Sequence, residues 1–576
     1  MADAGAGAGS AGRTDLRLVP TAATAWGAAF AGTFNEAIWS WAAAGFLLIA
    51  GAVLLFSGRQ RQRQRRCAGV RARTMPATFA LACFFGATVA VHCAAMAVQR
   101  EEGPLAQAAV DHEGVAIEIR ITGSPAASMA PGQSGGNRWT VTAELLAVTA
   151  KSTVARGTAD VLIAGGDGWD KVQAGQVVRT TGTLKEARDG QGQDALLSAS
   201  SWLVVLDSQP DVRQSASELK HGFSAATRWL PPDAAGLLPG MVTGDTSALP
   251  ESLEKDMKTT GMTHLTAVSG ANCSLVLGAF ILLARSLRLS RPLAAAIAAC
   301  GLAGFVLMVG PDPSVVRAAV MGAVGLAAMV GGLRGRSLTF LCVATAILLL
   351  LDPTMAANAG FLLSVLATLG IVLLASRLAS WIPSRVPRWM AAGVAVPFSA
   401  QLLCGPVIVA LQPQFTPYAL IANVVAGPLV APVTIMGTLA VPLAVMAPWL
   451  AVVPVAVAGG CAATVAGVAR FFAGLPGATM PWAEGQAGVA AMVLCSGVSI
   501  TLVWMVLQSE RVLVRVVALH AGVELFLDRM SGRRHGRLDI CKESSGRKHQ
   551  WLLPKTPGPR TPRRTPSAGG TQARPP

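Results

Sequence analysis

Residues 236–280 read GLLPGMVTGDTSALPESLEKDMKTTGMTHLTAVSGANCSLVLGAF. The stretch begins apolar, turns charged between Glu251 and Lys258, and ends in a second apolar run. Leu249, Leu253 and Met257 recur every fourth residue, along one face of a short helix. Ser247 stands where a cap is expected, Pro250 suits an early helical position, and Gly261 is a stop signal. Beyond Gly261 the chain returns to apolar sequence through His264, Ser269, Gly270 and Asn272. Ser269, Asn272 and Cys273 share a face if that helix is continuous, and Gly270 permits a break. A charged surface helix leading through polar residues into an apolar run is expected where a chain dips into a bilayer from its outer face.

The rest of the chain agrees. Of 576 residues, 52% are hydrophobic and 14% charged, with a mean hydropathy of +0.51. A soluble domain carries about 25% charged residues, and the apolar runs here approach the ~20 residues needed to cross hydrocarbon. A soluble enzyme is excluded; the expected fold is a polytopic α-helical membrane protein. The formal charge of +16 is explained by basic loops that orient membrane helices. Apolar runs at 18–34, 38–57 and 76–98 surround Arg59, Arg61, Arg63, Arg65, Arg66, Arg71 and Arg73. That cluster predicts a cytoplasmic loop, which places residues 101–215 outside. No cleavable signal peptide is expected, because the first apolar segment leads straight into further spans. The ten cysteines form no CxxC pair and read as small packing residues.

Between 101 and 215 the long apolar runs stop. Five β-type segments, 115–122, 139–149, 159–164, 176–184 and 195–206, alternate with Gly/Ser-rich turns and predict a small extracytoplasmic five-stranded OB-like barrel. After 216 the helical pattern resumes, with basic loops at Arg285/Arg288/Arg291, Arg334/Arg336 and Arg377/Arg385/Arg388. Five late runs, 389–411, 418–434, 435–450, 451–474 and 486–508, would put the tail outside if all crossed. The tail, 511–576, carries fourteen Lys+Arg against four acidic residues and argues for the cytoplasm. Pro428, Pro432 and Pro442 therefore suggest a re-entrant run or a pair of half-helices. The expected division is a disordered 1–17, N-terminal helices over 18–100, the barrel over 101–215, a helical core over 216–510 and a largely disordered basic tail over 511–576.

The blocks GLLPGMVTGD (236–245) and GMTHLTAVSGAN (261–272) resemble the signature of the ComEC-type competence family. The resemblance continues in PDPSVVRAA (311–319), DPTMAANAGFLLSVLATLG (352–370) and the Gln401…Pro406 and Asn423…Pro428 pairs. It implies a channel admitting single-stranded DNA through the cytoplasmic membrane during transformation, with the barrel as the family's oligonucleotide-binding-type domain. It also implies an external DNA receptor and a cytoplasmic ATPase or strand-binding protein as partners. Many members add a metallo-β-lactamase-like domain; this sequence has no H-x-H-x-D-H arrangement, so a nuclease role is expected to be absent from this polypeptide or supplied by another one. No Walker-type phosphate loop, bound cofactor or metal site is expected.

Polar groups in the helical core are few enough to read singly: 265–509 holds ten Arg, no Lys and three acidic residues. His264, Ser269, Gly270 and Asn272 are the leading pore or gate residues, since polar groups at bilayer depth tend to line wet paths. A break at Gly270 would also offer a helix N-terminus to phosphate; helix packing is the competing reading. Ser364 and Thr368 form a small polar stripe, read as packing or as path lining. Gln401 and Asn423 suit interhelical bonding or the path equally. Arg317 suits an ion pair with Asp312 at the outer interface, or a strand contact. Trp139, Trp169 and Trp202 are base-stacking or core residues of the barrel. Over 101–215, nine Lys+Arg face fourteen acidic residues, which offers DNA no net attraction. A small-solute secondary transporter and a non-conducting scaffold of an uptake assembly are the alternatives; the first would need inverted repeats and a charged midplane site, which the sequence does not display.

Overall fold

The computed structural model describes residues 16–66, 75–102, 114–123, 125–128, 138–150, 153–156, 159–172, 175–186, 195–207, 212–310, 313–330 and 337–508, with Val523. The N-terminal and tail expectations, and the readings of Arg71, Arg73, Asp312, Arg334 and Arg336, lie outside these residues.

Among the described residues nine helices are long and apolar enough to cross a bilayer. The first three helices are α1 (Val19–Phe34), α2 (Ala37–Arg66) and α3 (Met75–Glu102). Helix α2 exposes Phe46, Ile49, Val53 and Phe56, an apolar surface that suits hydrocarbon rather than water. The helix also runs on through Arg59–Arg66, so this part of the expected basic loop is helical. Long, straight-chain Arg and Gln side chains keep helix propensity high after the apolar run has ended.

A barrel follows. Its walls are β1 (Gly114–Ile121), β3 (Arg138–Ala150), β5 (Asp160–Gly165), β6 (Val177–Glu186) and β7 (Ala195–Asp207); the short β2 (Ala126–Ser128) and β4 (Thr153–Arg156) add to β3. Strand β1 pairs with both β3 and β6, which closes the sheet in the order β1-β3-β5-β7-β6. Only the β5–β7 neighbour is parallel among these five pairings, and a crossed-over five-stranded barrel of this kind is OB-like. Val115, Ile117, Ile119 and Ile121 alternate inward along β1, as a half-buried strand requires. The five strands match the sequence expectation within two residues at each end. The additional β2 and β4 are too short to carry a periodic signal.

The core begins with three short helices, α4 (Val212–Ala226), α5 (Pro232–Thr243) and α6 (Glu251–Thr259). The helical series continues as α7 (Gly270–Ser286), α8 (Arg291–Val309), α9 (Pro313–Val330) and α10 (Ser337–Leu351). Helix α11 (Ala359–Gly370) passes through a π turn at Ile371–Ala375 into α12 (Ser376–Trp381). Then come α13 (Arg388–Leu411), α14 (Ala419–Met446), α15 (Pro448–Ala473) and α16 (Gly485–Leu507). The expected runs 418–434 and 435–450 are one continuous helix, α14, with Pro428, Pro432 and Pro442 inside it. No re-entrant pair forms there. Pro428 and Pro432 stand four apart, so their missing N–H groups fall on one helix face, where packing against neighbours tolerates them. Four helices therefore follow Arg388 instead of five.

Helices α14 and α15 meet along a seam of small residues, Ala440 and Ala444 on one, Ala458, Ala462, Ala466 and Ala469 on the other. Small side chains let two helix backbones approach closely where lipid offers no hydrophobic driving force. The same core takes in Leu237, Leu238, Met241 and Val242 from α5, and Leu253 and Met257 from α6.

Candidate functional site

The segment between α6 and α7 is built from glycines and caps. Leu253 and Met257 are fully buried, as their spacing predicts, and Gly261 ends the turn after α6 at φ +67°. Ser247 does not cap α6: Pro250 is the N-cap, and Ser247 Oγ donates to Asp245 at 2.6 Å instead. Asp245 also accepts from the Ser247 amide and from Ser224 Oγ at 2.9 Å. Burial alone would raise the Asp245 carboxyl, but these donors and nearby His221 hold it below the ordinary carboxylate range.

After Gly261 the chain makes a 3-10 turn, Thr263–Leu265, and regular helix resumes only at Gly270. Ser269, in extended backbone, is the N-cap of α7 and makes no side-chain capping bond. The break proposed from Gly270 is thus present, immediately before that residue. Gly240 accommodates the break from the other side: a Cβ there would stand 2.5 Å from the Thr266 carbonyl oxygen. Gly236, one turn earlier on α5, accepts the Ala248 carbonyl in the same way.

The polar residues divide into accessible and buried sets. His264 is exposed, with the Gly261 carbonyl beside its ring. Asn423 Nδ2 reaches the same carbonyl at 3.5 Å and the Ala419 carbonyl at 2.8 Å. Ala267, Ala271 and Ser274 continue the accessible side of the segment. Their small side chains at i, i+4 and i+7 were the available sequence signal for that face. Asn272 is buried; its Nδ2 donates to the Met241 carbonyl at 2.9 Å, and its Oδ1 accepts from Ser269 Oγ at 3.2 Å. Gln401 is half-buried on α13.

Arg317 departs most from expectation. It is only 5% exposed, and Nε donates to Ser364 Oγ and Nη1 to Thr368 Oγ1, both at 2.9 Å, with Met321 Sδ at 3.3 Å from Nη1. Among the described residues no carboxylate lies within ion-pair distance of it. Ser364 and Thr368 are therefore arginine ligands rather than a simple packing stripe. The two features were legible separately, but nothing in the sequence joins α9 to α11. Nη2 faces the start of α7, where a Cβ on Gly270 would stand 2.8 Å away. Ser314 Oγ, donating to the Val268 carbonyl at 3.3 Å, ties α9 to the break as well.

The barrel tryptophans separate. Trp169 is fully buried between the strands, so its ring has no free face for a base; a Cβ on Gly165 would collide with it. Trp139 packs partly against the barrel core, and Trp202 lies on β7.

Farther along the core, Arg470 makes paired contacts with Asp233 at 2.6 and 2.7 Å and reaches Asp256 at 3.3 Å, bridging α15 to α5 and α6. The Arg470 guanidinium holds the Asp233 carboxyl below its ordinary range.

Residues 241–508 match the family described as Competence protein. Over 157 residues, 27% of this chain, the sequence is 31% identical to ComE operon protein 3 of Bacillus subtilis (strain 168). That alignment spans a fifth of the relative's length. No solved structure matches. Residues 241–508 contain the break at Gly270, the Arg317 cluster and the small-residue seam, so the similarity to the competence family falls on the part of the chain that holds the candidate site.

Proposed function

We propose that this protein is a channel that imports single-stranded DNA across the cytoplasmic membrane during natural transformation. The observation that carries the reading is the broken inlet segment. Residues 263–269 leave regular helix at one end of a membrane-length run, and His264 remains accessible there while Leu265, Thr266 and Val268 pack inward. Irregular backbone at a membrane span is tolerated where it is buried in protein or lines a watery cavity. An ionisable side chain left accessible at such a break favours the cavity.

In this reading His264, Ser269 and the small face of Ala267, Ala271 and Ser274 border the path. Gly270 keeps the backbone open at its narrowest approach. Asn272 positions the wall from behind. Ser364, Thr368, Gln401 and Asn423 shape the path from α11, α13 and α14. The barrel stands outside and the basic tail in the cytoplasm, in keeping with the arginine-rich stretch 59–73 and with four helices after Arg388. The barrel's net charge of −5 over 101–215 favours docking or structural work over strand capture. A separate DNA receptor and a cytoplasmic motor or strand-binding protein complete the system.

The test is accumulation of labelled DNA in cells lacking the protein. The channel reading predicts surface binding without import, restored by the wild-type chain and not by His264→Ala. Normal import in the deletion strain would contradict it. A small-solute transporter predicts that labelled DNA enters normally; a scaffold predicts that His264→Ala restores import as well as wild type does.

A further inference from the structure

We propose that Arg317 and the first turn of α7 form a station for one phosphate of the passing strand, an anion site that grips backbone and ignores base identity. The inference rests on the uptake reading above and adds the group that would hold the polyanion.

Three observations meet at one place. Arg317 is buried, and its Nε and Nη1 are held by neutral partners, the Ser364 and Thr368 hydroxyls and the Met321 sulfur. Hydroxyls aim a guanidinium without cancelling its charge, and a buried charge is poorly tolerated unless an opposite charge joins it. Nη2, the arm left over, is turned to Gly270. Gly270 opens a helix of 17 residues whose N-cap side chain makes no capping bond. Among the described residues, the Gly270 and Ala271 N–H groups have no acceptor.

A guanidinium and a helix N-terminus are both electropositive, so bringing them together without an anion is unfavourable. An anion between them reverses the sign. A phosphate oxygen can accept from Nη2 while its neighbour accepts from the backbone N–H groups, the arrangement in which arginine and helix N-termini bind phosphate best. Glycine at 270 is required by the same geometry, since any side chain begins where Nη2 must pass. Accessible Ala271 and Ser274 give the site an open side toward the inlet face. Phosphate contacts position a strand and carry no sequence information, as a channel for arbitrary DNA requires.

The test uses the full chain in lipid nanodiscs with two probes, a fluorescent oligothymidylate and an uncharged methylphosphonate oligomer of the same length. For a single strand, each phosphate contact contributes about 0.7 to the slope of log affinity against log salt. Arg317→Gln should lower that slope by about 0.7 and weaken the charged probe alone, and Arg317→Lys should keep the slope. Gly270→Ala retains the charge but crowds Nη2, and should weaken the charged probe while leaving the uncharged one unchanged. An unchanged slope in folded Arg317→Gln, or equal weakening of both probes, overturns the proposal. Should Arg317→Gln fail to accumulate, an unchanged charged-probe affinity in Gly270→Ala overturns it equally. Normal import in a deletion strain would end the uptake reading while an Arg317-dependent slope kept the anion site. Import that needs the protein with no Arg317-dependent slope would do the reverse.

Discussion

Asn272 Nδ2 donates to the Met241 carbonyl at 2.9 Å, fixing the first turn of α7 to the last turn of α5 across 31 positions of chain. The end of the break that opens α7 is thereby registered against α5. Leucine at 272 would fill the volume and leave the buried carbonyl without this donor, a loss of about 1–3 kcal/mol. Asn272→Leu should reach the membrane, unfold at lower temperature than wild type in detergent and fail in import. An unchanged thermal midpoint would show that the contact carries no weight.

Gly240 makes a sharper comparison. A Cβ at that position meets the Thr266 carbonyl oxygen at 2.5 Å, whereas one at Gly278 meets nothing within 4 Å. Gly240→Ala should therefore cost about 1–3 kcal/mol through overpacking, and Gly278→Ala should be neutral or gain up to about 1 kcal/mol from helix propensity. Thermal unfolding of the two variants side by side checks this. Equal midpoints would mean that α5 and the inlet segment are not closely seated.

These two cases also mark how far the sequence could be read. The break before Gly270, the inward face of Leu253 and Met257, and all five barrel walls follow from spacing and turn residues alone. What spacing cannot supply is a partner at long range. Nothing local to Asn272 names the Met241 carbonyl, and nothing local to Arg317 names Ser364 and Thr368, because those contacts exist only once helices have packed. The pairing of Arg317 with Asp312 falls outside the described residues, and what the fold adds is the inward turn of Arg317 to two hydroxyls on another helix. The α14 prolines misled for a related reason: proline breaks an isolated helix, but a membrane helix walled by neighbours can absorb three.

The Asp233–Arg470 bridge gives a pH signature. Asp233 is held below its ordinary value of 3.8, so its contribution is complete above that pH and lost as pH falls through the lower folded value. Both side chains are partly exposed, 30% and 40%, which keeps the pair in the range of surface bridges, up to about 1 kcal/mol. Asp233→Asn should destabilise the protein slightly at neutral pH and lose the difference from wild type at strongly acid pH. A difference that persists below the folded value would assign the effect to something other than this charge.

The barrel tryptophans should behave differently from one another. Trp169 fills the interior, so Trp169→Ala should cost about 3–5 kcal/mol of barrel stability. Trp139 is partly exposed, so Trp139→Ala should cost less. Limited proteolysis of the full chain reads both: rapid cleavage within 114–207 in the first variant and near wild-type resistance in the second. Equal resistance would mean that Trp169 is not a core residue.

The proposed path beside His264 is open to direct measurement. In a chain whose native cysteines are replaced and His264 is kept, Ala267→Cys on the accessible side next to His264 should react with a membrane-impermeant thiol reagent, and the reaction should slow when a DNA strand is arrested in transit. A thiol at 267 that stays unreactive from both sides of the membrane, with import undiminished, would contradict the path.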